Sequence, residues 1–155
     1  IRNGVLYRDV DSASGADVCV LYWDGTMETY TSKEFDAEEA IDNGAYQAWC
    51  FGPMLVGDDG EAMTSFTTTV GGHNPRTVIG YFEPGHYCFV VVDGRSSASS
   101  GMSMKQLSAL MVSLGCVKAY NLDCGQTSVM TLGSTVVSDP YKGGRKCSDI
   151  IYIGE

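Results

Sequence analysis

The chain has 155 residues, 44% of them hydrophobic, which suits one domain with a real core and argues against disorder or a fibre. A formal net charge of -9 argues against nucleic acid as a partner, because phosphate backbones need clustered Lys and Arg. No apolar run approaches the roughly 20 residues that span a bilayer, so membrane insertion is not expected.

Short β-like runs broken by Gly and Asp come first. Val18 to Trp23 reads as a strong strand, Asp24-Gly25 as a tight turn, and Met27 to Tyr30 as the returning strand of a hairpin. Thr31 followed by Glu34 has the form of a capping box. It predicts a short helix with Phe35, Ala37, Ala40 and Ile41 apolar, ended near Gly44. Ala45 to Phe51 and Met54 to Val56 read as strands on either side of Gly52-Pro53. Residues 57–75 are polar and Gly-rich and predict a loop. Thr77 to Phe82 reads as a strand, and Tyr87 to Val92, apolar almost throughout, as a strand buried on both faces.

The best helix signal follows a Ser-rich loop. Ser103 with Gln106 can form a capping box. Leu107, Leu110, Met111 and Leu114 then repeat at helical spacing, and Gly115 is placed to close the helix. Val117 to Leu122 predicts a strand, 123–128 a Gly-containing turn, and two or three short strands finish the chain at Asp149 to Ile153. The order predicts an α+β domain: a mixed, largely antiparallel sheet with two main helices.

The six cysteines, Cys19, Cys50, Cys88, Cys116, Cys124 and Cys147, include no CxxC pair, so zinc spacing is absent. Cys19, Cys50 and Cys88 fall in apolar strand-like runs. Free, buried thiols are therefore favoured over a disulfide framework.

Charge is uneven along the chain: residues 1–62 carry 13 acidic and 3 basic residues, residues 63–155 carry 6 and 7. The first part reads as a solvated acidic surface. In the second, three polar clusters stand at strand ends: Asn74-Pro75-Arg76, Asp93-Gly94-Arg95, and Asn121 to Ser128. A strand end delivers a polar group with little positional freedom. Asp93 follows Phe89-Val90-Val91-Val92 and needs a partner for its charge, or else simply caps a turn. The turn after Asp123 can present backbone N–H groups as an anion nest, with Thr127 and Ser128 adding hydroxyls; an ordinary β-turn is the alternative. Arg76 and Arg95 each offer a planar fork that matches phosphate oxygens. His73 and His86 lack a partner at telling spacing. Lys142 to Lys146 reads as a solvated loop in which Arg145 could face an anion.

Together these clusters resemble the phosphodiester glycosidase family, which includes the uncovering enzyme of lysosomal targeting and bacterial relatives tied to exopolysaccharide. The matching stretches are GAYQAWCFGPMLV (44–56), NPRTVIG (74–80), VVVDGRSSASSGMSMKQLSALMVSLGC (90–116), AYNLDCGQTS (119–128) and SDIIYI (148–153). The family usually reads NLDGGGSS at the third cluster. Here Cys124 and Gln126 replace glycines and Thr127 replaces the first Ser. The resemblance also implies that residues 1–155 form a single domain lacking the N-terminal part of the family domain, completed by a further segment or a second chain.

What the resemblance implies for function is hydrolysis of a sugar-1-phosphodiester at the glycosidic bond, in an extracellular or cell-envelope setting, on a sugar-phosphate or polysaccharide substrate. Asp93 and Asp123 are the expected catalytic carboxylates, their acid, base and nucleophile roles open. Asn74, Arg76, Arg95, Asn121, Gly125, Thr127 and Ser128 are the expected substrate contacts. No cofactor and no metal cluster is expected, although two Asp and an Asn could hold a divalent cation. The competing expectation is a non-catalytic glycan or glycan-phosphate binding module of the same fold, which holds its ligand but no longer turns it over.

Overall fold

The computed structural model describes residues 1–11 and 14–154. It is an α+β domain in four layers: helix, sheet, sheet, helix. β1 (Val18–Tyr22) and β2 (Met27–Tyr30) form the expected hairpin, and β3 (Ala45–Cys50) pairs with the other edge of β1, all antiparallel. β4 (Arg76–Glu83), β5 (His86–Val92) and β6 (Lys118–Asn121) make a second antiparallel sheet in the order β5-β4-β6. A separate hairpin pairs β7 (Thr131–Leu132) with β8 (Thr135–Val136).

The layers follow from the two-residue period of a strand. On β1, Val18 and Val20 face outward and pack with Ala40 of α1 (Ala37–Asp42), while Cys19 faces the second sheet. On β4, Ile79 and Tyr81 meet Cys19 and Met27, while Val78 points the other way, onto α2 (Met104–Ser113). Leu107 and Met111 of α2 fill that outer core with Leu55 and Ala119. Burying a Leu- or Met-sized side chain stabilises by about 1.5–3 kcal/mol, so these paired cores hold the sheets in register. Tyr120 joins the layers: its hydroxyl accepts from the Phe51 amide (2.7 Å) and donates to the Asp17 carbonyl (2.6 Å).

Several elements depart from expectation. The first helix begins at Ala37, not after Thr31. Asp36 caps it, its carboxylate accepting from the Glu38 and Glu39 amides at 3.0 and 2.9 Å. Thr31 and Glu34 do bond as a capping pair, but they close only a turn. Among the described residues β5 is an edge strand with β4 as its one neighbour, so it is half-buried rather than covered on both faces, and Phe89 is exposed. Met54 to Val56 makes single bridges beside Tyr120 and Ala62 instead of a strand. Asp149 to Ile153 forms no strand, and Ile150, Tyr152 and Ile153 lie exposed. All six cysteines are free, but only Cys19 and Cys116 are buried; Cys50 and Cys147 are exposed. Ser103 caps α2 with a complete capping box, as its spacing predicts.

Candidate functional site

Three strand ends converge at one edge of the second sheet. Asn74-Pro75 leads into β4, Asp93 to Arg95 leaves β5, and the 123–128 turn follows β6. Because β4 runs antiparallel to both neighbours, its start lies beside the ends of the other two. Arg76 pairs with Val92, and Val78 with Asn121, which fixes the meeting point.

The crossing is tight. Asn74 and Met102 exchange backbone hydrogen bonds at 3.3 and 3.0 Å. Gly101 beside them has φ +86°, and a Cβ there would fall 2.2 Å from the Asn74 carbonyl oxygen. Glycine is therefore required on both counts: backbone angle and space.

Arg95 stands at the surface of this crossing. Its Nε and one terminal nitrogen donate to Asn74 Oδ1 at 3.2 and 2.7 Å, and its guanidinium lies over the Tyr141 ring, 5.2 Å from the centroid. The other terminal nitrogen, Nη1, lies against Gly125, where a Cβ would come within 3.3 Å of it; among the described residues no hydrogen bond engages Nη1. Gly125 thus leaves the space that a guanidinium or its ligand needs. Arg95 itself has φ +58°, a region that costs a non-glycine residue about 1 kcal/mol or more and that clusters at functional sites.

Asp123 is half-exposed. Its Oδ1 accepts from the Cys124 amide at 2.9 Å, and its Oδ2 pairs with Arg145 at 2.9 Å. Asp93 is half-buried, and its Oδ1 accepts from the Asp139 amide at 2.9 Å. The partner its charge needed is thus a backbone donor from the C-terminal segment. Thr127 donates from Oγ1 to the Cys124 carbonyl at 3.1 Å, which closes the turn.

Three of the expected substrate contacts, Arg76, Asn121 and Ser128, are buried. Arg76 is wholly inaccessible. Its Nε donates to the Met102 carbonyl at 2.9 Å, one terminal nitrogen to the carbonyls of Val70 (2.8 Å) and Gly72, and the other approaches Cys124 Sγ at 3.7 Å. Burial lowers its pKa, and neighbouring Arg95 adds to this, while Cys124 acts in the opposite sense. Asn121 is buried too, its Nδ2 donating to the Gly52 and Leu122 carbonyls at 2.9 Å each. The Ser128 hydroxyl accepts from Thr77 at 3.1 Å behind the turn. These side chains brace the crossing rather than face solvent.

The expected N–H nest is also largely closed. The Cys124 amide goes to Asp123, the Gly125 amide to the Pro75 carbonyl at 3.2 Å, and the Ser128 amide to the Gly125 carbonyl at 3.3 Å. Cys124 is half-buried against Arg76. Burial pushes its thiol pKa up, with the Arg76 charge and hydrogen bond pulling back. Gln126 donates to the Gly144 carbonyl at 2.8 Å and ties the turn to the C-terminal loop.

Sequence reading missed Tyr141, which carries no signal beyond being an aromatic in a polar loop, and Asp139, which acts through its backbone. It allowed Arg145 toward an anion, and the anion it meets is Asp123. His86 lies at the far end of β5, within 3.8 Å of Glu83, and His73 is in an exposed loop. Among the described residues no group of three or more His, Cys, Asp or Glu gathers as a metal site.

The structure is a layered α+β domain with Arg95, Asp93 and Asp123 at one edge of the second sheet. The chain belongs to the phosphodiester glycosidase family, whose sequence model matches residues 1–154. It is 39% identical over 132 residues to the SPbeta prophage-derived uncharacterized protein YomE of Bacillus subtilis (strain 168), covering 83% of this chain but 20% of that protein. Its fold is similar to the zebrafish N-acetylglucosamine-1-phosphodiester alpha-N-acetylglucosaminidase catalytic domain auto-inhibited by its pro-peptide. The TM-score is 0.67 at 19% identity, over 89% of this chain and 48% of that one. A hypothetical protein from Synechocystis is similar at a TM-score of 0.55 and 15% identity, over 85% of this chain and 32% of its own. The chain therefore spans about a fifth of the curated relative and under half of the zebrafish domain. No helix among the described residues is long and apolar enough to cross a membrane.

Proposed function

We propose that this chain supplies the anion-gripping part of a hydrolase that cuts the glycosidic bond of a sugar-1-phosphodiester. The observation that carries the reading is the meeting of Arg95, Asn74, Gly125 and Asp123 at one turn. Arg95 takes the phosphoryl oxygens through Nη1, the edge that Asn74 leaves open, and Tyr141 beneath it fixes the plane. Asp123 is the carboxylate of the 123–128 turn, and its ion pair with Arg145 orients it. In the reaction the anomeric carbon gains positive charge as its bond to the phosphate oxygen breaks. Asp123 stabilises or attacks that centre, water completes the sugar, and the phosphate leaves as an anion. Asp93 holds the Arg95 loop to the C-terminal segment and is the second carboxylate of the site.

The substrate is a sugar phosphate or phosphate-bearing polysaccharide, met outside the cytoplasm or at the cell envelope. A further segment or a second chain completes the site. Replacing Asp123 by Asn is expected to lower release of free sugar from a UDP-sugar or a sugar-phosphate-sugar diester by about 10²–10⁴-fold. Undiminished release would refute the role.

The closed turn amides favour a second reading, a glycan-phosphate binding module in which Cys124 and Gln126 stand where the resemblance places glycine. Under that reading the wild-type chain binds the UDP-sugar, loses binding when Arg95 is changed to Ala, and releases no sugar.

A further inference from the structure

Two cysteines distant in sequence face each other across the second sheet. Cys88 lies in the middle of β5, and Cys116 follows α2 just before β6. Their sulfurs are 3.7 Å apart, with 28 positions between them in the chain. Gly80 of β4 makes the encounter feasible. It pairs with Cys88 on one side and Ala119 on the other, and a Cβ there would lie 2.7 Å from both sulfurs. Any other residue at position 80 would separate the thiols.

A disulfide is about 2.05 Å long, so the sulfurs must approach by about 1.6 Å, a distance that side-chain rotation can share between them. The strand that would gain is the one least held. Among the described residues β5 has β4 as its one neighbour, and it runs straight into Asp93 and Arg95. A bond to Cys116 would tie this edge to the end of α2, inside the core that Leu107 and Met111 fill.

We propose that Cys88 and Cys116 are an oxidisable pair that closes to a disulfide on reaction with a small-molecule disulfide such as oxidised glutathione. The half-buried Cys88 reacts first. Its thiolate attacks the small disulfide, whose S–S bond breaks and releases one small thiol. The Cys116 thiolate then attacks the mixed disulfide at the Cys88 sulfur and releases the second. The two cysteine protons end on the two small thiols, and the protein is two hydrogens lighter. Burial, with Cys88 alongside, pushes the Cys116 thiol up to about 12, so the second step is slow in the folded protein and is completed as β5 opens or as the chain folds.

The test is refolding from urea in a mixture of reduced and oxidised glutathione, followed by acid quench, alkylation in denaturant and peptide mass mapping. The expected product joins Cys88 to Cys116 in one cross-linked peptide, while Cys19, Cys50, Cys124 and Cys147 are alkylated or carry glutathione. The bonded form melts about 5–10 °C above the reduced form, and dithiothreitol abolishes the difference. A Cys88→Ala chain shows no redox-dependent shift; should it fail to fold, the oxidised and reduced wild-type forms decide alone. Cys88 and Cys116 both alkylated after refolding, a bond between other cysteines, or a bonded form that melts no higher would each overturn the proposal.

Discussion

Replacing Arg76 by Met removes a buried guanidinium while keeping much of its volume. The carbonyls of Val70, Gly72 and Met102 then lose their donor. A buried acceptor left without a partner costs about 1–3 kcal/mol, so three of them set a gross cost of about 3–9 kcal/mol. Two effects reduce it. The charge of Arg76 meets no carboxylate among the described ion pairs, so its removal relieves a desolvation penalty of several kcal/mol. Val70 and Gly72 are also loop residues that can turn their carbonyls to water once released. The balance is a loss of about 2–4 kcal/mol, with the 70–74 loop freed first. In urea that moves the unfolding midpoint down by about 1–2 M. Native-state hydrogen exchange should show the Asn74 and Met102 amides, which bond each other's carbonyls, losing protection together. An unchanged midpoint with those amides still protected, combined with weaker binding of a UDP-sugar, would refute the bracing role and put the guanidinium on substrate.

Gly101→Ala tests the crossing from the other side. Its Cβ would enter the Asn74 backbone at a φ that disfavours a side chain, so a loss of about 3 kcal/mol is expected, read as a lower urea midpoint, with a loss of phosphodiester turnover as Asn74 releases Arg95. Asp17 gives a pH dependence. Burial raises its carboxyl pKa above the usual 3.8, the Met54 amide bond opposes this, and Glu34 adds to it. The native state therefore holds that proton more tightly than the unfolded chain does. The stability this confers is complete below pH 3.8 and lost as pH rises through the raised native value. Asp17→Asn keeps an acceptor for the Met54 amide and removes that loss. Relative to wild type, the variant should gain stability as pH rises above 3.8 through the raised native value, and a gap that shrinks over that rise would contradict the assignment.

Local signals were strong where the chain decides its own geometry. The apolar strand run of Val18 to Trp23, the Asp24-Gly25 turn and the Ser103–Gln106 capping box depend on neighbours a few residues away, and a strand over Val18–Tyr22, the turn and the cap all form. The Thr31–Glu34 pair also forms, yet the helix starts at Asp36, because a capping contact can close one turn without continuing into a helix. Tyr87 to Val92 and Asp149 to Ile153 misled for a common reason. An apolar run states what a segment can bury, not whether a neighbour is there to cover it.

By itself the sequence determined the α+β class, most strand and helix positions, the family, and the three clusters that meet at the sheet edge. Only the tertiary structure decided which of their side chains face water. Arg76 and Arg95 look alike as letters after a Pro or a Gly, but one starts a central strand and is enclosed by loop carbonyls, while the other leaves an edge strand and lies against Tyr141. Burial and hydrogen-bond partners depend on residues far apart in the chain, 69 positions for Asn121 and Gly52, and no local pattern encodes such a distance.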